Sequence, residues 1–171
     1  MTCPLSLPRQ SQSRSGIDSK LRGCDLVRLQ VDDVSVGGRV RYRTTIIQKK
    51  TGRSVQFEIT EQTRAAVQAW LADTRSRNIR YLFPSRVRTQ AHLSTRQYAR
   101  IVHSWVASAG LDSSAYGTHS MRRTKPAQIY KKTGNLRAVQ LLLGHTKLES
   151  TVRYLGIEVD DALAISEQVE L

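Results

Sequence analysis

The chain has 171 residues, 39% of them hydrophobic, which suits one ordinary domain with a real core. A formal net charge of +13 and a sequence pI of about 10.4 point to nucleic acid or an anionic surface as partner, rather than to a merely solvated basic exterior. Cys3 and Cys24 are too few for a disulfide framework or a CxxC zinc site, no stretch approaches the roughly 20 apolar residues of a membrane span, and the first residues lack the charged head and apolar run of a signal peptide, so a cytoplasmic or nucleoid-associated protein is expected.

The charge is uneven along the chain. Between residues 62 and 148 the acids are Asp73 and Asp112, set among many Lys and Arg. Residues 158–171 reverse this, with Glu158, Asp160, Asp161, Glu167 and Glu170 and no base. A basic body with an acidic end reads as a nucleic-acid surface plus a segment that stays off it.

Residues 1–16 are rich in Ser, Gln, Pro and Arg and show no helical or strand period; residues 1–18 are set apart as a disordered or atypical lead. From Ser19 the pattern changes. Leu21, Cys24, Leu26, Val27, Leu29 and Val31 predict a short helix with an apolar face, with Cys24 a buried thiol. Gly37-Gly38 predicts a hairpin. Arg39 to Gln48 alternates and is rich in β-branched and aromatic residues, Lys50-Thr51-Gly52-Arg53 reads as a turn, and Ser54 to Ile59 as another strand. These give a small three-stranded antiparallel sheet rimmed with Lys and Arg.

Everything after Thr60 reads helical. Thr60 caps a helix to about Asp73, with Ala66, Val67, Trp70 and Leu71 on its buried side. Tyr81-Leu82-Phe83-Pro84 is a buried connector, and Ser94 caps a helix carrying Tyr98, Ile101, Val102, Trp105 and Val106. A further helix starts near His119, with a kink or break expected at Pro126. Leu136–Leu143 stops at Gly144, Leu148–Tyr154 follows, and Val159–Val169 forms a last short helix. The expected fold class is α+β, mainly α, with the sheet at one edge.

Three groups of residues suit work on a phosphodiester. His119 and Arg122 stand three apart at a helix start, on one face, where backbone N–H groups also favour an anion. The planar fork of Arg matches phosphate oxygens. His145 follows Gly144 in a helix-ending Leu-Leu-Gly-His run, and Tyr154 lies nine positions further on (145 to 154). Singly each reads as structural: a solvated Arg, a locally bonded His, a packed Tyr. No cluster of carboxylates has the spacing to hold Mg²⁺, so neither metal nor other cofactor is expected.

Together the motifs resemble the catalytic domain of the tyrosine recombinases, the phage integrase family. The resemblance rests on His119-Ser-Met-Arg122, on Leu142-Leu-Gly-His145, and on Tyr154 at the family distance from that His. Leu21-Arg22-Gly-Cys-Asp25-Leu resembles the family's earlier Arg box, with Asp25 in place of the commoner Glu, and Lys50 matches the family's Lys between two strands better than Lys49 does. The likeness covers roughly residues 19–157 and includes the Leu82-Phe-Pro-Ser85 connector.

The resemblance implies roles. Arg22 and Arg122 grip the non-bridging oxygens of the scissile phosphate, and His145 supports it by hydrogen bonding. His119 donates to the same phosphate or assists proton movement at Tyr154. Lys50 protonates the departing 5′ oxygen, and Tyr154 attacks to give a 3′-phosphotyrosine. It implies double-stranded DNA as the partner of a homo-oligomer, a tetramer on DNA, in recombination or integration of a mobile element, with no small-molecule substrate. Residues 19–171 would form the catalytic domain, with 158–171 as a tail helix whose apolar stripe resembles a subunit-docking segment, and without the family's usual amino-terminal DNA-clasping domain. Alternatives are a non-catalytic helix-turn-helix-like module built on Leu136–Leu155, a truncated inactive remnant, and a type IB topoisomerase outcome.

Overall fold

The computed structural model describes residues 18–73, 79–85, 87 and 89–157. The expected tail helix at 158–171, Cys3 and all but the last residue of the expected lead lie outside the described residues.

The apolar stretch after Ser19 forms two single turns rather than one short helix: α1 (Gly23–Leu26) and α2 (Val31–Val34). The cause lies fifty residues on. Val31 N–H donates to the Arg80 carbonyl at 2.9 Å, Leu82 N–H donates to the Leu29 carbonyl at 2.8 Å, and Gln30 pairs with Tyr81 as an isolated bridge. Backbone committed to that pairing cannot continue a helix. α2 restarts with its own capping box, Gln30 against Asp33. Leu21, Leu26, Val27 and Leu29 are buried all the same, whereas Cys24 is only half-buried.

The strands also divide. β1 (Ser35–Val36) pairs with β2 (Arg39–Val40) around Gly37 and Gly38, both at positive φ as a tight hairpin requires. β3 (Arg43–Ile47) pairs with β4 (Ser54–Glu58) in register Thr44↔Phe57 and Ile46↔Val55. There are thus two two-stranded ladders among the described residues, not one sheet of three. The run from Arg39 changes partner midway: Arg41 N–H donates to the Val34 carbonyl, while the Tyr42 carbonyl accepts from Ile59 N–H, both at 2.8 Å.

α3 (Glu61–Ala72) buries Thr63, Val67 and Trp70. The Thr60 hydroxyl does not cap it; it donates to Asp18 Oδ2 at 2.5 Å, as Thr63 does at 2.7 Å. Asp18, at the seam of the expected lead and domain, also meets Lys125 Nζ at 3.4 Å. Leu82 and Phe83 are buried as the connector reading requires. α4 (Thr95–Ser108) carries a Ser94/Gln97 capping box and buries Tyr98 and Val102.

α5 (Thr118–Thr133) runs through Pro126 without the expected break. The ring is buried, and the lost N–H is the one that would have met the Arg122 carbonyl. α6 (Leu136–Leu143) begins at Asn135, whose side chain accepts from Ala138 N–H, and ends at Gly144 with φ +67°. α7 (Leu148–Leu155) ends at Gly156, also left-handed. One core cluster joins the 21–34 stretch, β4, α3, the 82–83 connector and α4, and Val139 and Leu143 of α6 are fully buried. No helix among the described residues is long and apolar enough to cross a membrane.

Candidate active site

Arg22 occupies the extended residue before α1. Its neighbour Gly23 permits close approach of α4, since a Cβ there would stand 3.3 Å from the Tyr98 ring. Asp25, one turn on, is buried, and its Oδ1 accepts from Lys49 N–H at 2.9 Å. Arg22 Nη1 donates to Gln48 Oε1. α1 and the residue before it are thus fastened to the turn between β3 and β4, where Lys50 sits exposed. That turn closes on itself: Gln48 N–H donates to the Arg53 carbonyl and Gly52 N–H to the Gln48 carbonyl, both at 2.8 Å.

Arg122 lies on the first turns of α5 and is only 5% exposed. Its Nε donates to the Lys20 carbonyl at 2.8 Å and its Nη2 to the Leu143 carbonyl at 3.1 Å. Two neutral acceptors hold the fork without neutralising it, leaving further N–H donors free to meet an anion. The end of α6 is brought within reach by Gly144, where a Cβ would stand 2.5 Å from Val55 Cγ2 on β4. His119, almost a turn before Arg122 on α5, is exposed.

His145 and Tyr154 meet across the α6–α7 turn. Their rings stand edge to face, centroids 5.4 Å apart at 82°. His145 Nδ1 lies 3.2 Å from the hydroxyl of the fully buried Thr151. Burial, followed by the positive charges of Arg122 and Arg22, pushes the imidazole pKa down to about 4, so the ring is neutral at pH 7. The guanidinium carbons of Arg122 and Arg123 are 5.5 and 5.7 Å from the Tyr154 ring centroid. Burial raises the phenol pKa, while Arg122, Arg123 and Arg22 act against that rise. The Tyr154 hydroxyl is buried and has no hydrogen-bond partner among the described residues.

Of the six residues singled out in sequence, the fold gathers Arg22, Arg122, His145 and Tyr154 around one spot and leaves the exposed Lys50 and His119 on adjoining elements. Gln48 and Arg123 join them, and neither carries a sequence signal of its own. Three arginines facing one tyrosine make a strongly positive pocket. No group of three or more His, Cys, Asp or Glu among the described residues is placed to hold a metal ion.

Residues 16–159 match the model of the phage integrase family. The probable integrase/recombinase YoeC of Bacillus subtilis (strain 168) is 32% identical over 149 residues, covering 87% of this chain and 77% of that protein. The tyrosine recombinase XerC of Psychromonas ingrahamii is 26% identical over 96% of this chain, which spans only 54% of that relative. Among solved structures, XerH site-specific recombinase bound to palindromic difH substrate superposes with a TM-score of 0.72 at 20% identity, over 98% of this chain and 48% of that one. XerA recombinase does so with a TM-score of 0.73 at 18% identity, over 94% of this chain and 56% of that one. These structures share the fold, and this chain spans about half their length. By the extent of the family match and the likeness to YoeC, the chain belongs to the phage integrase family, the tyrosine recombinases.

Proposed function

We propose that the chain cuts and rejoins DNA strands in site-specific recombination through a 3′-phosphotyrosine at Tyr154. The observation that carries this reading is the buried Tyr154 hydroxyl, without a hydrogen-bond partner among the described residues, beside His145 and within the field of Arg22, Arg122 and Arg123. An unpaired buried hydroxyl has an energetic cost, and a phosphate oxygen at that spot would relieve it.

In the reaction the Tyr154 oxygen attacks phosphorus, the bond from phosphorus to the 5′ oxygen breaks, and that oxygen leaves with a proton. Lys50, on its exposed turn, delivers the proton. Arg22 and Arg122 hold the non-bridging oxygens, where negative charge grows, and their fixed geometry needs little reorganisation. His145, neutral at pH 7, serves as a hydrogen-bonding group rather than as an acid. His119, exposed on α5, assists the phosphate or the phenolic proton. The ester to Tyr154 keeps the bond energy, so a 5′ hydroxyl from another strand reseals the chain without a nucleotide. Exchange between two duplexes calls for several copies on DNA, a tetramer in the simplest case.

Trapping on a nicked duplex carrying the cognate site tests the reading. Wild type should become covalently attached, and Tyr154→Phe should not, while staying folded, since it removes only a hydroxyl without a partner among the described residues. An adduct that survives in Tyr154→Phe would sink the assignment. Salt-sensitive DNA retardation with no adduct from wild type would favour the binding-module reading, in which the exposed Arg137, Lys147 and Arg153 of the α6–α7 region meet the backbone.

A further inference from the structure

Gln48 stands out among the residues that no motif announced. It is 1% exposed, at the end of β3, and every polar group of it is engaged. Its side-chain oxygen accepts from Arg22 Nη1 and from the Thr51 hydroxyl at 2.9 Å. Its side-chain nitrogen donates to the Leu143 carbonyl at 3.4 Å. Its backbone closes the turn that carries Lys50. The Leu143 carbonyl also receives Arg122 Nη2. A single buried amide therefore touches one guanidinium directly, shares an acceptor with the other, and holds the lysine-bearing turn.

We propose that Gln48 is a positioning residue for strand cleavage, tying Arg22 to the turn that presents Lys50 and anchoring both on the carbonyl that seats Arg122. This rests on the function proposed above. A guanidinium has donors on several edges, and one bond to a fixed acceptor sets the plane in which the others point. Asp25 does the complementary task on the main chain, holding Lys49 N–H, so the turn is pinned at its backbone by Asp25 and at its side chains by Gln48. Lys50, exposed on a turn pinned at both ends, sweeps a limited arc. Gln48 itself, facing Arg22, Thr51 and Leu143, does not touch the reacting atoms in this scheme.

Two substitutions separate the possibilities. Gln48→Met keeps length and volume and removes every side-chain hydrogen bond. Gln48→Glu keeps the acceptor for Arg22 and Thr51 and loses the donor to Leu143. On a saturating nicked duplex, single-turnover adduct formation should fall roughly 10- to 100-fold in Gln48→Met, the scale of a small misplacement of reacting groups. DNA affinity should hardly change, and Gln48→Glu should recover part of the rate. In a Lys50→Ala background the Gln48→Met factor should shrink, because placing an absent amine achieves nothing; general loosening of the fold would multiply in full.

A readout independent of cleavage comes from the Arg22 guanidinium resonances. Their Nη protons should be protected in wild type and Gln48→Glu and averaged in Gln48→Met. The proposal is overturned if Gln48→Met cleaves at the wild-type rate, if its effect multiplies fully with Lys50→Ala, or if the Arg22 resonances do not respond. Wild type that protects Arg22 yet never forms an adduct overturns the functional reading instead, and the two failures are told apart by the spectrum.

Discussion

Arg122 Nε donates to the carbonyl of Lys20, 102 residues earlier in the chain, at 2.8 Å. A candidate phosphate-binding arginine is therefore also a rivet between α5 and the segment leading into α1. Replacing it by lysine should reveal both duties. An ammonium keeps the charge but cannot span the Lys20 and Leu143 carbonyls as a planar fork does. Arg122→Lys is expected to lower unfolding free energy by about 1–3 kcal/mol for the acceptors left unpaired, and to slow adduct formation at least about 100-fold. Denaturant melts and single-turnover trapping would report the two losses separately. Unchanged stability would mean that the carbonyl contacts contribute nothing to the fold.

The sign of the pH response follows from His145. Its folded-state pKa of about 4 lies below the ordinary 6.5, so between those values the unfolded chain binds the extra proton. Stability from this group is complete above pH 6.5 and is lost as pH falls toward 4. With the ring half-exposed, the loss should be on the order of 1–2 kcal/mol after allowance for solvent screening. Comparing wild type with His145→Gln across pH 4–7 isolates it: the variant should lack that part of the acid decline. Parallel curves would contradict it.

Gly144 combines left-handed backbone with crowding, for a Cβ would fall 2.5 Å from Val55 Cγ2. Gly144→Ala should therefore cost about 2–4 kcal/mol, from backbone strain and overpacking together. Because the shift would move the Leu143 carbonyl, adduct formation should fall as well. A thermal melt within a degree of wild type would show that the turn yields freely.

Lys20 is the one non-glycine residue with positive φ among those described, at +56°, and it is 1% exposed. Burial, then the neighbouring Lys125, lowers its pKa, and its amine lies 3.8 Å from Glu58 Oε1. Two truncations isolate the backbone term, since both delete the side chain. Lys20→Gly should be more stable than Lys20→Ala by about 1 kcal/mol, because only glycine adopts this conformation without strain. Equal stabilities would mean that the segment relaxes on losing its lysine.

The helices were the most legible part of the chain. Ser94, Gly144 and the runs they bound are local signals, and α4, α6 and α7 lie where those signals put them. What failed was anything decided at a distance. No local pattern says that Val31 will bond to Arg80, so the helix expected there splits into α1 and α2. No pattern says that Arg41 will turn to Val34 while Tyr42 turns to Ile59, so one expected sheet became two ladders. The site shows the same division. The spacing from His145 to Tyr154 is local and becomes an edge-to-face contact. The roles of Gln48, of the Lys20 carbonyl and of the Leu143 carbonyl exist only once distant segments meet.

The bond between Arg122 and Lys20 also bears on the order of events during synthesis. Tyr154 leaves the ribosome more than 130 residues after Arg22 (22 to 154), and α5 to α7 must return to a segment made well before them. Contacts of such long range form late. A chain made only as far as α4 therefore has Arg22 without its counterpart on α5 or the tyrosine of α7, and the candidate site cannot assemble before synthesis has passed Tyr154.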